Sequence, residues 1–302
     1  MSVTFRTAVV RTPDGPDSIE FIDVPVAEPG PGQVRVAIAG TSVNPVDLAT
    51  TSGVFHQLGF ITQPGHTGLG TDFAGIVEAV GPDVDIAIGS RVAGIVDGFD
   101  RDFGTYAEKL VVAAAAVAVV PDELELTTAA TVPLNGLTAA QLVDLLGEGS
   151  GRSLLVIGAA GAVGGYVVTL ARDRGWKVTG LARPQDEGFV RGLGADFTTT
   201  ATTGWDAVAD TAVSQEKALP LVRDDGLLVG VRPGAEPAAE RGIIVRAVSV
   251  LADGDRLAGL LKDTVTGRLP ARVHTVLPLD RVADAHRAVA QGGIRGRYVL
   301  QP

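Results

Sequence analysis

Hydrophobic and polar positions alternate in short runs through the first third of the chain, punctuated by Gly, Pro and Asp. "VTFRTAVV" (3–10), "IEFIDV" (19–24), "QVRVAIA" (33–39), "DFAGIVEAV" (72–80), "SRVAGIV" (90–96) and "TYAEKLVV" (105–112) each read as a β-strand, with turns at "EPGPGQ" and "VGPDVD". That spacing predicts a barrel or sandwich. After about residue 120 the rhythm changes to strand followed by helix. Strands are predicted at "RSLLVIG" (152–158), "WKVTGLA" (176–182), "DAVAD" (206–210), "GLLVGV" (226–231) and "IIVRAVSV" (243–250), and helices at "GAVGGYVVTLARDRG" (161–175), "PQDEGFVRGLG" (184–194) and "QEKALPLVRDD" (215–225). In the first of these helices Val163, Val167, Leu170 and Ala171 recur at three- to four-residue spacing, which predicts one apolar face. Repeated βα units imply a parallel sheet covered by helices. The pattern turns mixed again from about 253, with a helix at 255–267, a strand at 271–277, a helix at 280–293 and a closing strand at 297–300. No internal repeat is visible.

Composition narrows the function classes. The 302 residues are 46% hydrophobic and 20% charged, the profile of a folded globular chain long enough for two domains. A net charge of -10 disfavours nucleic acid and anionic membrane surfaces, both of which attract basic protein. There is no cysteine, so disulfides and thiolate metal sites are excluded. The N-terminal stretch has no long apolar run after a basic start, and no window offers eighteen uninterrupted apolar residues, so a cytosolic protein is expected.

The candidate chemistry centres on "LLVIGAAGAVGG" (154–165), where a strand buried on both faces runs into nearly bare backbone. Gly161 and Gly164 are three apart, and Ala159 stands where a G-x-G-x-x-G fingerprint has its first glycine. Such a turn needs small residues so that backbone can approach a pyrophosphate and helix can pack on strand. The helix N-terminus then directs N–H groups and partial positive charge at the phosphates. Ala160, Gly161, Ala162, Val163 and Gly164 are therefore candidate contacts of a dinucleotide. An acidic residue at the end of the next strand would favour a free ribose 2′-hydroxyl, but "LARP" offers Arg183 and no carboxylate before Asp186. A guanidinium pairs well with phosphate, so NADPH is expected over NADH; the plainer alternative is a solvated surface arginine.

Eight ordered segments together resemble the medium-chain dehydrogenase/reductase superfamily, and most its zinc-independent quinone oxidoreductase branch. They are "NPVD" (44–47), "LGTDFAGIVEAVG" (69–81), "GSRVAG" (89–94), "GTYAEKLVV" (104–112), "PLNGLTAAQLV" (133–143), "GAAGAVGG" (158–165), "VRGLGAD" (190–196) and "AHRAVAQGGIRGRYVL" (285–300). The resemblance implies an α/β protein with a GroES-like, β-rich N-terminal domain at 1–118, a Rossmann doubly wound parallel-sheet domain at 119–252, and a segment at 253–302 that returns to the first domain. It also implies a substrate cleft between domains and, by analogy, a homodimer.

Zinc-containing relatives carry a "GHE" motif where this chain has "GTD" (70–72), and His66 with Asp72 would fall short of a metal's ligand count, so no metal is expected. Hydride transfer then rests on the cofactor, with a quinone or α,β-unsaturated carbonyl as acceptor and water or a weak acid as proton source. Asn44 before Pro45 reads first as a helix N-cap, while the resemblance puts it beside the nicotinamide or substrate. Asp47 caps or orients the same turn. Where relatives have a pocket tyrosine this chain has Phe55 and His56, which leaves the proton donor unassigned. By resemblance Thr138 lies beside the cofactor, or else is an ordinary helix hydroxyl bonding the preceding turn. Arg297, in place of a family lysine, reaches cofactor phosphate or sits on the surface.

The four histidines have no metal or triad spacing, and His286 on its helix reads as structural. Tyr106 and Lys109 are three apart rather than four and precede the glycine turn, so they are not a short-chain-dehydrogenase pair. Two other functions fit the same residues: an enoyl reductase acting on an acyl-chain intermediate, and a non-catalytic NADPH-binding or regulatory protein.

Overall fold

The alternating runs of the first third become antiparallel strands in the computed structural model, which describes residues 3–302. In chain order the elements of this stretch are β1 (Thr4–Val10), β2 (Ile19–Pro25), β3 (Gln33–Ser42), α1 (Pro45–Thr51), α2 (Val54–Gln57), β4 (Thr67–Gly68), β5 (Asp72–Val80), β6 (Arg91–Ile95), β7 (Lys109–Ala113), β8 (Val117–Val119) and α3 (Leu126–Ala129). The long β3 is the organiser: it pairs with both β5 and β7, and its inward residues Val34, Val36 and Ile38 pack with Phe73, Val77 and Val92 in a buried cluster. β1 pairs with β2 and β4 in a separate small sheet. The predicted strand at 105–112 is only half a strand. Its first residues instead bond the turn beside them, Tyr106 N–H to Leu69 O at 2.9 Å and Thr105 N–H to Gly70 O at 3.2 Å, so the ladder begins at Lys109.

The βα rhythm that follows becomes α4 (Pro133–Leu146), β9 (Ser153–Ile157), α5 (Ala162–Asp173), β10 (Lys177–Leu181), α6 (Glu187–Gly192), β11 (Asp196–Thr198), β12 (Trp205–Asp210), α7 (Gln215–Ala218), β13 (Val222–Gly230) and β14 (Ile244–Ala247). The six strands form one sheet in the order β11-β10-β9-β12-β13-β14, every neighbouring pair parallel. Numbered within the sheet this is 3-2-1-4-5-6, the doubly wound order that reverses between β9 and β12. The helix predicted at 215–225 stops at Ala218, because Pro220 interrupts it and Val222 already enters β13. Helix α5 is buried on more than the one predicted face: besides Val167 and Ala171, Tyr166 and Val168 are enclosed, and Phe189 and Pro270 stand against Gly165 on its far side.

The chain then continues through α8 (Gly254–Val265), β15 (Val273–Pro278), α9 (Val282–Gln291) and β16 (Arg297–Gln301). β16 lies between β15 and β3, with Val299 opposite Ser42 and Leu300 opposite Thr41, so the last strand completes the sheet begun by the first third. Two compact units result: Met1–Leu134 with Ala252–Val265 and Ala271–Pro302, and Asn135–Leu251 with Thr266–Pro270. The stretch 119–134, which the resemblance assigns to the second domain, stays with the first, because α3 packs beneath β3; a Cβ on Gly40 would stand 3.6 Å from Thr127 Cα.

The tightest backbone approach in the second unit is at Gly164, where a Cβ would sit 2.2 Å from Gly158 O and 2.8 Å from Thr211 Oγ1. Gly164→Ala is therefore expected to destabilise by about 1–3 kcal/mol, the usual cost of overpacking. Gly188→Ala, in open space on α6, is expected to leave the urea midpoint unchanged or slightly raised. Equal midpoints for the two variants would contradict this account of the packing.

Candidate functional site

In the second unit, β9 ends at Ile157 and the chain turns through Gly158 at a φ of +80°, a conformation costly for any residue with a Cβ. Gly161 N–H closes the turn onto Gly158 O at 2.8 Å, and Gly161 becomes the extended N-cap of α5. The first small residue of the fingerprint is thus Gly158 rather than Ala159; Ala159 is fully buried, packed where Gly180 leaves room for its methyl. At Gly161 a Cβ would lie 3.0 Å from Gly158 O, so three glycines keep this face of the turn bare. The first-turn N–H groups, which include Ala162, Val163 and Gly164, have no acceptor within the helix. Bare backbone, unsatisfied donors and a positive dipole end at the reversal point of the sheet fit a diphosphate.

Arg183 follows the end of β10, as expected, half-exposed and with its Nε 3.6 Å from the buried carboxylate of Asp186. Thr138 is buried on α4. Unlike Thr169 and Thr264, which bond the carbonyl four residues back, it makes no such bond among the described residues.

The first unit gathers a buried polar cluster at the junction of β3 and α1. Asn44 is the N-cap of α1 and is almost wholly enclosed. Its N–H donates to Asp47 Oδ2 at 2.8 Å, while its side-chain Nδ2 donates to Asp72 Oδ1 at 3.1 Å and to Ser42 Oγ at 3.0 Å. Two carboxylates from different elements therefore hold one asparagine. Asp47 also accepts from Thr71 Oγ1 at 2.9 Å and from the Tyr106 hydroxyl at 3.1 Å. Asp72 Oδ1 accepts from Ser42 Oγ at 2.7 Å. Asn44 is thus the N-cap that the sequence predicts, and the bond to Asp47 fixes its backbone.

Burial dominates the electrostatics. It raises the Asp47 carboxyl above the usual range against the pull of its hydrogen bonds and of Arg101. Asp72 is pushed up to about 7, by burial first; its bond from Ser42 pulls it back, the nearby Asp47 raises it further, and the charge of Arg297 lowers it. Arg297, at the start of β16, is thus placed with Asp72 in the first unit. Arg101 donates to Gly70 O at 2.6 Å and Thr71 Oγ1 at 3.3 Å, pinning the turn that carries Thr71.

Phe55 takes no part in this polar cluster. It stacks on Phe99 with ring centroids 4.1 Å apart, and Phe60 lies 6.0 Å away. His66 packs against Phe103 rather than toward Asp72, and no group of three or more His, Cys, Asp or Glu side chains able to hold a metal occurs among the described residues. Sequence reasoning missed Ser42, Thr71 and Arg101, and gave Tyr106 and His286 no part in the site. The apolar setting of Asp47 and Asp72 in the sequence was the available signal, since a carboxylate in a strand start such as "DFAGIV" demands partners.

Residues 30–122 match the Alcohol dehydrogenase GroES-like domain family, and residues 189–300 match the Zinc-binding dehydrogenase family. The fold superposes on a solved quinone oxidoreductase from Coxiella burnetii with a TM-score of 0.86 and 24% identity, covering 99% of this chain and 100% of that one. The chain belongs to the medium-chain dehydrogenase/reductase superfamily. Proteins similar in sequence include the chloroplastic NADPH-dependent alkenal/one oxidoreductase of Arabidopsis thaliana, 28% identical over 89% of this chain and 72% of that enzyme. Another is the pikromycin polyketide synthase component PikAII of Streptomyces venezuelae, 32% identical over 90% of this chain, which spans only 8% of that synthase. As a member of this superfamily the protein is an oxidoreductase that uses a nicotinamide cofactor. No helix among the described residues is long and apolar enough to cross a membrane.

Two buried groups give opposite pH dependences. Asp72, raised to about 7, stabilises the fold at low pH and loses that contribution as pH rises through about 7. His286, depressed to about 4 by burial, contributes above the ordinary imidazole range and loses it as pH falls toward about 4. Asp72→Asn should therefore steepen the loss of stability between about pH 7 and about pH 5, and His286→Gln should flatten it. Urea midpoints across that window check both; unchanged slopes would refute the burial argument.

Proposed function

We propose that the protein binds NADPH at the Gly158–Gly164 turn and reduces a quinone or α,β-unsaturated carbonyl by direct hydride transfer without zinc. The observation that carries the reading is the glycine cradle at the reversal point of a 3-2-1-4-5-6 sheet. When bound, the cofactor supplies the hydride. The chain's own part is to bind and orient. The amides of Ala162, Val163 and Gly164 take the diphosphate, Ala160 and Gly161 form the bare floor of the turn, and Arg183 takes the 2′-phosphate that distinguishes NADPH. Thr138 adds a hydroxyl beside the cofactor, and Arg297 a cation.

In the first unit, Asn44 is the residue assigned to the nicotinamide or acceptor. Its amide donor is committed to Ser42 and Asp72, and Asp47 fixes its backbone, so it stands pre-oriented. Asp47 is a positioning residue, and Phe55, stacked on Phe99, offers an aromatic surface to a planar acceptor. Asp47 and Asp72 are both enclosed, so the proton that completes reduction is assigned to water. The name of the Arabidopsis relative supports both the cofactor and the acceptor class. Zinc independence rests on the donor set: there is no cysteine, and no cluster of three candidate ligands occurs among the described residues.

The acidic balance of the chain disfavours nucleic-acid and membrane partners, and a cytosolic homodimer is carried over by analogy with the superfamily. The synthase match favours a second reading, an enoyl reductase acting on an acyl-chain intermediate, which differs in acceptor and not in chemistry.

Oxidation of NADPH is followed by absorbance with a panel of quinones, short enones and enoyl thioesters. Turnover with the first two supports the leading reading, and turnover confined to the thioesters supports the second. Tight NADPH binding without oxidation across the panel identifies a cofactor-binding regulatory protein instead. Arg183→Ala is expected to weaken NADPH binding by about 1.5–3 kcal/mol, the scale of a hydrogen bond to a charged group, while NADH binding stays nearly unchanged. Calorimetric titrations showing equal loss for both cofactors would remove Arg183 from the site.

A further inference from the structure

His286, sent into the first unit by α9, is fully buried although nothing in a hydrocarbon core needs an imidazole. Its Nε2 lies 3.3 Å from the Tyr106 hydroxyl and its Nδ1 3.4 Å from Thr51 Oγ1. The Tyr106 hydroxyl donates to Asp47 Oδ2, and the same oxygen accepts the N–H of Asn44. A run of polar groups thus joins the C-terminal helix to the N-cap of α1.

The direction of its protons follows from its end. The phenol donates to Asp47, so while that carboxylate is ionised the phenol oxygen is left to accept from Nε2–H of a neutral ring; the Thr51 hydroxyl on the Nδ1 side donates to Leu48 O at 3.1 Å. Burial holds the ring neutral, with its pKa depressed to about 4, so this polarity persists through the working range. Other charged side chains on α9 are spent elsewhere: Asp284 pairs with Arg281 and Arg287, and Arg287 also pairs with Asp17, all exposed. Without the imidazole N–H, the phenol loses the donor that keeps its own proton on Asp47 and can turn about its C–O bond.

We propose that His286 is a positioning residue for Asn44, acting through Tyr106 and Asp47. The proposal rests on the assignment of Asn44 to the nicotinamide or acceptor. The imidazole contacts neither Asn44 nor Asp47; it sets the phenol that sets the carboxylate that holds the Asn44 amide.

The test compares His286→Phe, which fills the space without a donor, with His286→Gln, which restores an N–H, and with Tyr106→Phe and the double variant Tyr106→Phe/His286→Phe. Thermal midpoints and NADPH dissociation constants are measured alongside kcat and KM for the acceptor. His286→Phe is expected to lower kcat about tenfold, the scale of one lost buried hydrogen bond, with KM changed less, and His286→Gln to recover most of it. The double variant should be no slower than Tyr106→Phe alone, because the two residues act in series. Losses that multiply in the double variant, or His286→Gln as slow as His286→Phe at equal midpoints, would reduce the histidine to packing and overturn the proposal.

Hydrogen exchange at the Asn44 amide keeps this separate from the functional assignment. In wild-type protein that binds NADPH without turnover, exchange at Asn44 that is unchanged by His286→Phe overturns the positioning role. Exchange that is accelerated there and slowed again by His286→Gln upholds it.

Discussion

Burying Asp47 and Asp72 within one small volume is the constraint on which the first unit depends. A carboxylate taken out of water must recover its hydration from fixed donors, and one element cannot supply enough of them. The donors come from separate parts of the chain: Ser42 at the end of β3, Asn44 before α1, Thr71 before β5 and Tyr106 before β7. Arg297 of β16 adds its charge, and His286 of α9 stands behind Tyr106. Satisfying the acids therefore fixes the relative placement of segments more than two hundred residues apart in sequence, such as Asn44 and His286. Rigidity of Asn44 is a consequence of electrostatics rather than an added feature.

The second unit is governed by steric approach instead. Gly164 brings α5 against the end of β9 so closely that the helix axis points its amide end over the turn, and Gly180 makes room for Ala159 in the neighbouring strand. The face of this turn is laid bare by removing side chains. The two units thus prepare their residues by opposite means, one by adding polar partners and the other by leaving atoms out. The pairing suits a reaction in which the cofactor supplies the reactive atom and the protein supplies order.

Much of this was legible along the chain. The six strands of the second unit were each signalled by an apolar run, save for the three-residue β11, and the parallel order followed from the helices between them. Gly161, Gly164 and Arg183 fell where the turn and the second strand put them. The helix expected at 215–225 failed because Pro220 interrupts it and Val222 is carried into β13 by pairing with Trp205 of β12. α4 entered only as the helix of Thr138 and without bounds, because it is apolar nearly all round and has no periodic face to reveal it. Tyr106 and His286, 180 residues apart, carried no local mark of their contact.

The sequence by itself determined the alternation of strand and helix, the bare glycine turn, the absence of thiolate ligands and the cap at Asn44, because each depends on neighbours a few residues apart. Only the tertiary structure decided that Gly158 makes the turn, that Arg297 stands with Asp72, and that His286 reaches Asp47 through Tyr106. Those relations arise when β16 and α9 return to the sheet of β3, and the energy of a buried charge depends on what surrounds it in space, which no local spacing records.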